Sequence, residues 1–233
     1  MWLTRSVMAT SGAKRIVAPE PPARLSSTDL PVCDVATSWF RICRRRHASP
    51  LFWSRLGIYR FDSEKATWGV CYAASSITRA FQEVFGNRIR CGTPLDWTEI
   101  RDFRVWCISI PVGFRGLSLF GDTLTLIDAT LQCFVSSYAK SQRRGAALMD
   151  HPADLDGLVY YGRRCGAHCL AMFGDETSPR KYQESLKSEL LGDLVLWDEF
   201  WSMLDRLKVR VSSVPSQREG PTWSLTDPQL EIL

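Results

Sequence analysis

Apolar residues recur at helical spacing over residues 77–85, directly after a short apolar run. The run at residues 70–74 is compact and β-compatible, and it predicts a buried strand. Ser75 and Ser76 follow it as candidate N-caps. Beyond them, one face of a helix is apolar, formed by Ile77, Ala80, Phe81, Val84 and Phe85. The pattern therefore predicts a strand, a turn and an amphipathic helix.

Other apolar runs predict further elements on both sides of this segment. Strands are expected at residues 38–43, 105–110, 158–161 and 169–173, with a closing strand at 209–211. Helices are expected at 129–148 and, with a break near Gly192, at 181–207. A loop is expected at 47–57 and a turn at 87–93. Strands and helices intermix without a regular βαβ rhythm, so we expect an α+β fold.

The composition is that of a globular protein with polar ends. The chain has 233 residues, of which 45% are hydrophobic, and this is enough for one sizeable core. Residues 1–30 and 213–233 are rich in proline and polar residues, so we expect flexible segments there and a folded domain over 31–212. The eight cysteines have no compact spacing, which favours reduced thiols and a cytoplasmic protein. No membrane span or secretory signal is expected.

The net charge of +4 is unevenly distributed along the chain. Residues 1–60 carry +7 and the remainder carries −3. A basic first quarter is typical of proteins that bind nucleic acid, an acidic partner or a phosphate-bearing ligand, but a solvated tail gives the same balance. The run of three arginines at 44–46 is open to the same two interpretations.

Three residues near the central helix could act on a ligand together. Arg60, Tyr72 and Glu83 lie close in sequence, on elements that could converge at one cleft. Arg41 lies in the strand predicted at 38–43 and points either to solvent or into a site for an anion. Taken singly, a helical glutamate off the apolar face is usually an ordinary solvated residue.

Several other chemistries have weak support. The chain has no glycine-rich phosphate loop. Cys165, His168 and Cys169 are grouped, but they form no CxxC pair and no second pair exists, so we expect no metal. No local signature supports a Cys–His nucleophile. The nine tryptophans are expected in the core rather than as stacking platforms for nucleic acid.

An ordered set of short motifs resembles the RES domain, the toxin half of Xre–RES toxin–antitoxin pairs. The first four are SWFRI at 38–42, YRFD at 59–62, GVCYAAS at 69–75 and AFQE at 80–83. The later ones are LTLID at 124–128, HP at 151–152, DGLVY at 156–160 and AMF at 171–173. The resemblance covers residues 31–175, and a C-terminal helical part at 178–212 is expected to belong to the same domain.

The resemblance implies a fold, a substrate and a partner. The fold would be ADP-ribosyltransferase-like, with a mixed split β-sheet core and flanking helices. The substrate would be NAD+, cleaved between nicotinamide and ribose by phosphorolysis, hydrolysis or ADP-ribosyl transfer. The partner would be an Xre-family helix-turn-helix antitoxin that blocks the cleft, and the chain would meet nucleic acid only through it.

The resemblance also implies roles for individual residues. Arg41 and Arg60 would hold the anionic part of NAD+, because a guanidinium offers a planar fork of donors and stays charged. Tyr72 would pack on the nicotinamide side. Glu83 would orient the nicotinamide ribose and stabilise the positive charge that develops as nicotinamide leaves. Arg60, Tyr72 and Glu83 are thus the expected catalytic residues.

One position departs from the family's pattern. Gly162 stands where the family has a serine, so a hydroxyl that could contact the substrate is missing. Such a neutral hydrogen bond contributes about 1 kcal/mol. Two alternatives to an active NAD+-degrading toxin therefore stay open. One is a RES-fold binding subunit with impaired catalysis, and the other is a nucleic-acid binder that uses the basic first quarter.

Overall fold

The computed structural model describes residues 20–135 and 138–214 as a mixed sheet flanked by helices. The strands are β1 (Val32–Cys33), β2 (Ser38–Arg44), β3 (Gly69–Ala74), β4 (Leu95–Asp96), β5 (Phe103–Ser109), β6 (Gly116–Ser118), β7 (Gly157–Tyr161), β8 (His168–Gly174), β9 (Lys187–Asp193) and β10 (Val211–Ser212). The helices are α1 (Ile77–Arg90), α2 (Trp97–Ile100), α3 (Asp122–Leu126), α4 (Leu131–Val135), α5 (Tyr138–Met149) and α6 (Asp198–Arg206). Short 3₁₀ turns lie at Ala23–Ser27, Lys181–Ser185 and Leu194–Leu196.

Within residues 20–135 and 138–214, eight strands form the main sheet in the order β1-β6-β7-β8-β3-β2-β5-β9. Neighbouring strands are antiparallel except β6 and β7, which are parallel. β2 pairs with β5 from Ser38 opposite Ser109 to Arg44 opposite Phe103, whereas β2 and β3 pair only at Phe40 and Ala74. The sheet is therefore split between β2 and β3, as the resemblance implies.

Alternating side chains give the sheet two apolar faces. On β3, Val70 and Ala74 belong to the larger core, while Cys71 and Ala73 face the smaller one. Helix α1 lies on the larger face because its apolar side is buried there through Ala80, Phe81, Phe85 and Gly86. Helix α6 completes that core, since the rings of Phe81 and Phe200 meet edge to face at 5.5 Å.

The helix predicted over residues 181–207 is wrong for most of its length. Residues Lys187–Asp193 form the edge strand β9, which pairs with β5, and only Asp198–Arg206 is α-helical. Gly192, expected to break a helix, has φ +140° and lies at a bulge in this pairing. The apolar spacing was misleading because β9 gains its hydrogen bonds from β5, a partner distant in sequence.

Two other local predictions also need correction. Helix α1 continues to Arg90, so the turn predicted at 87–93 begins only at Cys91. The run at 209–211 does not close the main sheet. Instead Val211–Ser212 pairs in parallel with Leu95–Asp96 in a separate two-stranded sheet. The second error concerns a strand pairing that no local pattern specifies.

The described part of the N-terminal segment belongs to the core. Leu25 and Leu30 are buried, and the Leu25 carbonyl accepts a hydrogen bond from His151 Nε2 at 3.0 Å. The expectation of a flexible segment up to residue 30 is therefore wrong for 23–30. The rest of that expectation, residues 1–19, and the tail from 215 onward lie outside the described residues.

Candidate active site

A cavity of about 350 Å³ opens where β2 and β3 separate. This volume lies within the range of small-molecule sites. The residues that line it come from β2, β3, α1, α5, β7, β8 and the loops beside them: Phe40, Arg41, Ile42, Ser54, Tyr59, Arg60, Val70, Tyr72, Ala73, Ala74, Ala80, Glu83, Val84, Tyr138, Tyr160, Arg164 and Cys169. The cavity thus contains Arg41, Arg60, Tyr72 and Glu83, which the sequence analysis selected.

Arg60 is a buried cation with its guanidinium at this cavity. Its side chain donates to the Tyr161 carbonyl at 2.9 Å and lies over the Tyr160 ring, 5.0 Å from the ring centre. Only 7% of the residue is exposed, and no carboxylate within the described ranges forms an ion pair with it. A buried charge without a counterion is costly, so this arrangement favours an anionic ligand.

Glu83 is held by the backbone that follows β7. Its Oε1 accepts hydrogen bonds from the N–H groups of Arg164 and Cys165, both at 3.2 Å. Glu83 lies on helix α1, whose N-terminus is capped by Ser76. The Ser76 hydroxyl accepts a hydrogen bond from the Arg79 N–H at 3.3 Å. The carboxylate is therefore fixed in orientation on a rigid helix at the edge of the cavity.

Tyr72 presents its ring to the cavity while its hydroxyl points away from it into a buried network. The hydroxyl donates to Asp62 Oδ1 at 3.0 Å and accepts from the Phe61 N–H at 2.9 Å. Burial and the nearby Asp62 raise the pKa of Tyr72 well above its ordinary value. The hydroxyl is therefore protonated at neutral pH, and Tyr72 offers an aromatic surface rather than an acid or base.

Arg41 projects from β2 into the gap between the two strands. Its guanidinium donates to Cys71 Sγ and to the Phe52 carbonyl, the latter at 3.4 Å. No carboxylate of the described residues forms an ion pair with Arg41 either. Arg41 and Arg60, which lie on different elements, therefore both line one cavity.

Gly162 lies directly beside Glu83. A Cβ on Gly162 would be 2.5 Å from Glu83 Oε1, 2.5 Å from Cys165 Sγ and 2.7 Å from Cys169 Sγ. The three neighbours thus occupy the space that any side chain at 162 would need. A serine at this position would displace at least one of them.

The two cysteines form a buried thiol pair with Glu83 beside it. Their Sγ atoms are 3.6 Å apart, and this hydrogen bond lowers the pKa of Cys165 while it raises the pKa of Cys169. His168, grouped with them in the sequence, is exposed and stacks on Phe120 at 4.9 Å. The cluster therefore consists of two thiols and a carboxylate, without the imidazole.

Comparison with protein-family models gives one match, to the RES domain over residues 38–189. The match covers more than half of the chain. The chain belongs to the RES domain family. All four cavity residues chosen from the sequence fall inside the region that matches the RES domain.

Solved structures give the same fold for this RES domain. A chain of the crystal structure of the M. tuberculosis MbcT–MbcA toxin–antitoxin complex matches with a TM-score of 0.52 at 17% sequence identity. The match covers 73% of the present chain and 92% of the other. The mixed split sheet is thus the ADP-ribosyltransferase-like fold that the sequence predicts. No curated protein matches the chain.

The structure adds residues to the site that the sequence analysis had not selected. Tyr160 underlies Arg60, Asp62 fixes Tyr72, and Arg164 contacts Glu83. Asp62 and Tyr160 lie in two of the motifs that resemble the RES domain, and this was the one feature of the sequence that could have identified them. Arg164 lies in none of these motifs. Within the described residues, no helix is both long and apolar enough to cross a membrane.

Proposed function

We propose that this RES-domain chain is a toxin that consumes NAD+ by cleaving the bond between nicotinamide and ribose. The observation that carries the proposal is the buried guanidinium of Arg60, which has no carboxylate partner among the described residues and shares a cavity with Glu83. NAD+ has one group that complements Arg60 and another that complements Glu83. Its pyrophosphate is an anion for arginine, and its ribosyl carbon becomes positive as nicotinamide leaves.

In this proposal four of the residues that line the cavity each have one role. Arg60 and Arg41 bind the anionic part of NAD+, and the Tyr72 ring packs on the nicotinamide side. The Glu83 carboxylate, held by two backbone N–H groups, stabilises the oxocarbenium-like ribose in the transition state. Because the carboxylate is oriented beforehand, little reorganisation is needed when the charge develops.

The test is NAD+ consumption and nicotinamide release by the purified protein. Glu83→Gln keeps the size of the side chain and removes its charge, and we expect turnover to fall by about 10²–10³-fold. Glu189→Gln, on the exposed edge strand β9, is the matched control and should turn over NAD+ like the wild type. Equal turnover by Glu83→Gln and the wild type would contradict the assigned role.

The same assay identifies the acceptor of the ADP-ribosyl group. Turnover that requires inorganic phosphate would indicate phosphorolysis, and phosphate-independent turnover without modified protein would indicate hydrolysis. Label transferred from NAD+ to a protein would indicate ADP-ribosyl transfer. Each product differs in mass, so one chromatographic separation distinguishes all three.

We further propose that an Xre-family helix-turn-helix antitoxin neutralises the chain by covering the cavity. The structural similarity to a chain from a toxin–antitoxin complex supports this partner. Expression of the chain in bacteria should arrest growth, and co-expression of the antitoxin should relieve the arrest. Glu83→Gln should not arrest growth, which would connect toxicity to the cavity.

A binding subunit with impaired catalysis is the second candidate, and Gly162 favours it. Wild-type NAD+ turnover that depends on Glu83 would exclude this candidate. Gly162→Ser is a poor test of restored activity, because a Cβ would lie only 2.5 Å from Glu83 Oε1. The wild-type measurement is therefore the decisive one.

A further inference from the structure

Two thiols and one carboxylate converge beside the cavity from three separate elements. Glu83 comes from α1, Cys165 from the loop after β7, and Cys169 from β8. Their ligand atoms all lie within 4.8 Å of one another, and both cysteines are buried. We call Glu83, Cys165 and Cys169 the three-ligand cluster.

Gly162 has no side chain to project between these three atoms. A Cβ there would lie 2.5 to 2.7 Å from each of them, so a side chain at 162 would compete with anything that the three atoms hold in common. Zinc bonds are about 2.3 Å to sulfur and about 2.0–2.2 Å to carboxylate oxygen. The geometry points to a Zn²⁺ site formed by the three-ligand cluster, made possible by glycine at position 162.

The separation of the two sulfurs supports this ion. Two thiolates bound to one tetrahedral zinc lie about 3.8 Å apart, and the Sγ atoms of Cys165 and Cys169 are 3.6 Å apart. A disulfide would require them to approach to about 2.05 Å. Thiolates are soft ligands that select zinc over magnesium or calcium. The sulfur pair is therefore already placed for a shared zinc ion.

The surroundings of the cluster complete a metal site. The N–H groups of Arg164 and Cys165 fix the Glu83 carboxylate, as outer-shell partners do for metal ligands. Cys169 pairs across the sheet with Tyr160. Glu83 and Cys169 also line the cavity. Water or a ligand from the cavity would supply the fourth coordination position.

Zinc at this position would have a consequence for activity. If Glu83 acts on NAD+ as proposed above, on which this point alone rests, bound Zn²⁺ engages the same carboxylate and inhibits turnover. The metal site itself does not depend on that activity. It differs from the expectation from the sequence that the chain holds no metal.

The test is metal binding by the reduced, chelator-treated full chain, without NAD+. Co²⁺ is titrated first, since thiolate ligands give it an intense near-ultraviolet charge-transfer absorption, and Zn²⁺ is then titrated in competition with a chromophoric chelator. We expect one ion per chain at this site. Cys165→Ser and Cys169→Ser should each weaken Zn²⁺ binding by about 100-fold or more, because even the loss of an outer-shell partner costs 10–100-fold.

Gly162→Ala is the sharpest variant, because it keeps all three ligands and fills the space between them. We expect it to lose Co²⁺ absorption and tight Zn²⁺ binding, with folding checked by circular dichroism. Cys91→Ser, at an exposed thiol outside the cluster, is the control and should bind like the wild type. If Gly162→Ala does not fold, the two cysteine variants decide the question.

Three results would overturn the site. They are wild-type protein without Co²⁺ thiolate absorption, binding unchanged in Cys165→Ser and Cys169→Ser, and a Cys165–Cys169 disulfide that persists under reductant. A separate NAD+ assay in chelator-containing buffer tests the proposed function. The two proposals are therefore tested separately, and one can fail while the other is still tested.

Discussion

Arg60 and Glu83 place opposite charges in one cavity, yet neither side chain neutralises the other through an ion pair. Glu83 is satisfied by backbone N–H groups, and Arg60 by a carbonyl and an aromatic ring. Neutral partners leave most of each charge available to a ligand. This is the arrangement expected of a site for a molecule with an anionic part and a carbon that becomes positive.

Replacing Arg60 should weaken NAD+ binding more than it weakens the fold. Removing one member of a buried charge pair costs about 2–5 kcal/mol, so we expect Arg60→Met to raise the Kd for NAD+ by about 30-fold or more. The unfolding free energy should change little, because an apolar side chain relieves a buried charge. Calorimetric titration checks the first quantity and urea unfolding the second. Arg101→Met, at an exposed site, is the control, and equal loss of NAD+ affinity there would contradict the prediction.

Asp62 should make stability depend on pH in the acid range. Burial raises the pKa of Asp62 above its ordinary 3.8. Between pH 3.8 and the raised pKa, the carboxyl is therefore protonated in the folded state but ionised in the unfolded state. Stability from this group is therefore lost as the pH rises from 3.8 through the raised pKa. We expect the wild type to lose stability relative to Asp62→Asn over that interval. Urea unfolding at several pH values measures it, and a constant difference would contradict the assignment.

At the scale of elements, α1 is the support of the site. It starts at a serine cap, buries one apolar side against the split sheet and carries Glu83 on another. Val84, predicted on the apolar stripe, is 40% exposed and lines the cavity instead. The helix thus has a core side and a cavity side within two turns.

Loss of the α1 cap should destabilise the protein measurably. Ser76→Ala removes the acceptor for the Arg79 N–H, and we expect a loss of about 1 kcal/mol in unfolding free energy. Ser75→Ala is the matched control, since Ser75 is exposed and does not cap the helix. Urea unfolding of both variants makes the comparison. A larger loss in Ser75→Ala would show that the cap is assigned to the wrong serine.

At the scale of the whole molecule, the folded unit extends past the matched RES region. Phe200, Met203 and Leu204 of α6 lie in the same core as α1 and β3, although the family match ends at residue 189. The last described segments therefore belong to the domain. The part expected to be helical at 178–212 contains the strand β9 as well as the helix α6.

Phe200 should be essential to the stability of the whole domain. It is 1% exposed and contacts the Phe81 ring on α1, so Phe200→Ala should cost about 3–5 kcal/mol. Unfolding should stay a single transition, because one core connects α1 and α6. Phe52→Ala, at a residue 44% exposed, should cost far less. Two separate transitions in wild-type unfolding would show that α6 forms an independent unit.

The basic first quarter is partly neutralised by the fold. Arg44 pairs with Glu99 and Asp102, and Arg45 pairs with Asp193. The three carboxylates come from positions 99 to 193, in the acidic remainder of the chain. The +7 balance therefore does not translate into an equally charged surface, which weakens the nucleic-acid hypothesis.

The sequence by itself determined the elements around the site and most of its residues. The strand at 69–74, the serine cap and the amphipathic helix are local features, set by side-chain period and capping chemistry. Tyr72 and Glu83 lie on these elements, and both line one cavity with Arg60. The motifs that identified the RES family are local features as well, since each spans only a few residues.

Only the tertiary structure decided how distant segments meet. The pairing of β9 with β5 turned a predicted helix into a strand, and the return of β8 beside β7 brought Cys165, Cys169 and Gly162 against Glu83. These contacts join residues 78 or more positions apart in the chain. Their energy comes from packing and cross-strand hydrogen bonds rather than from local preference, so no local pattern encodes them.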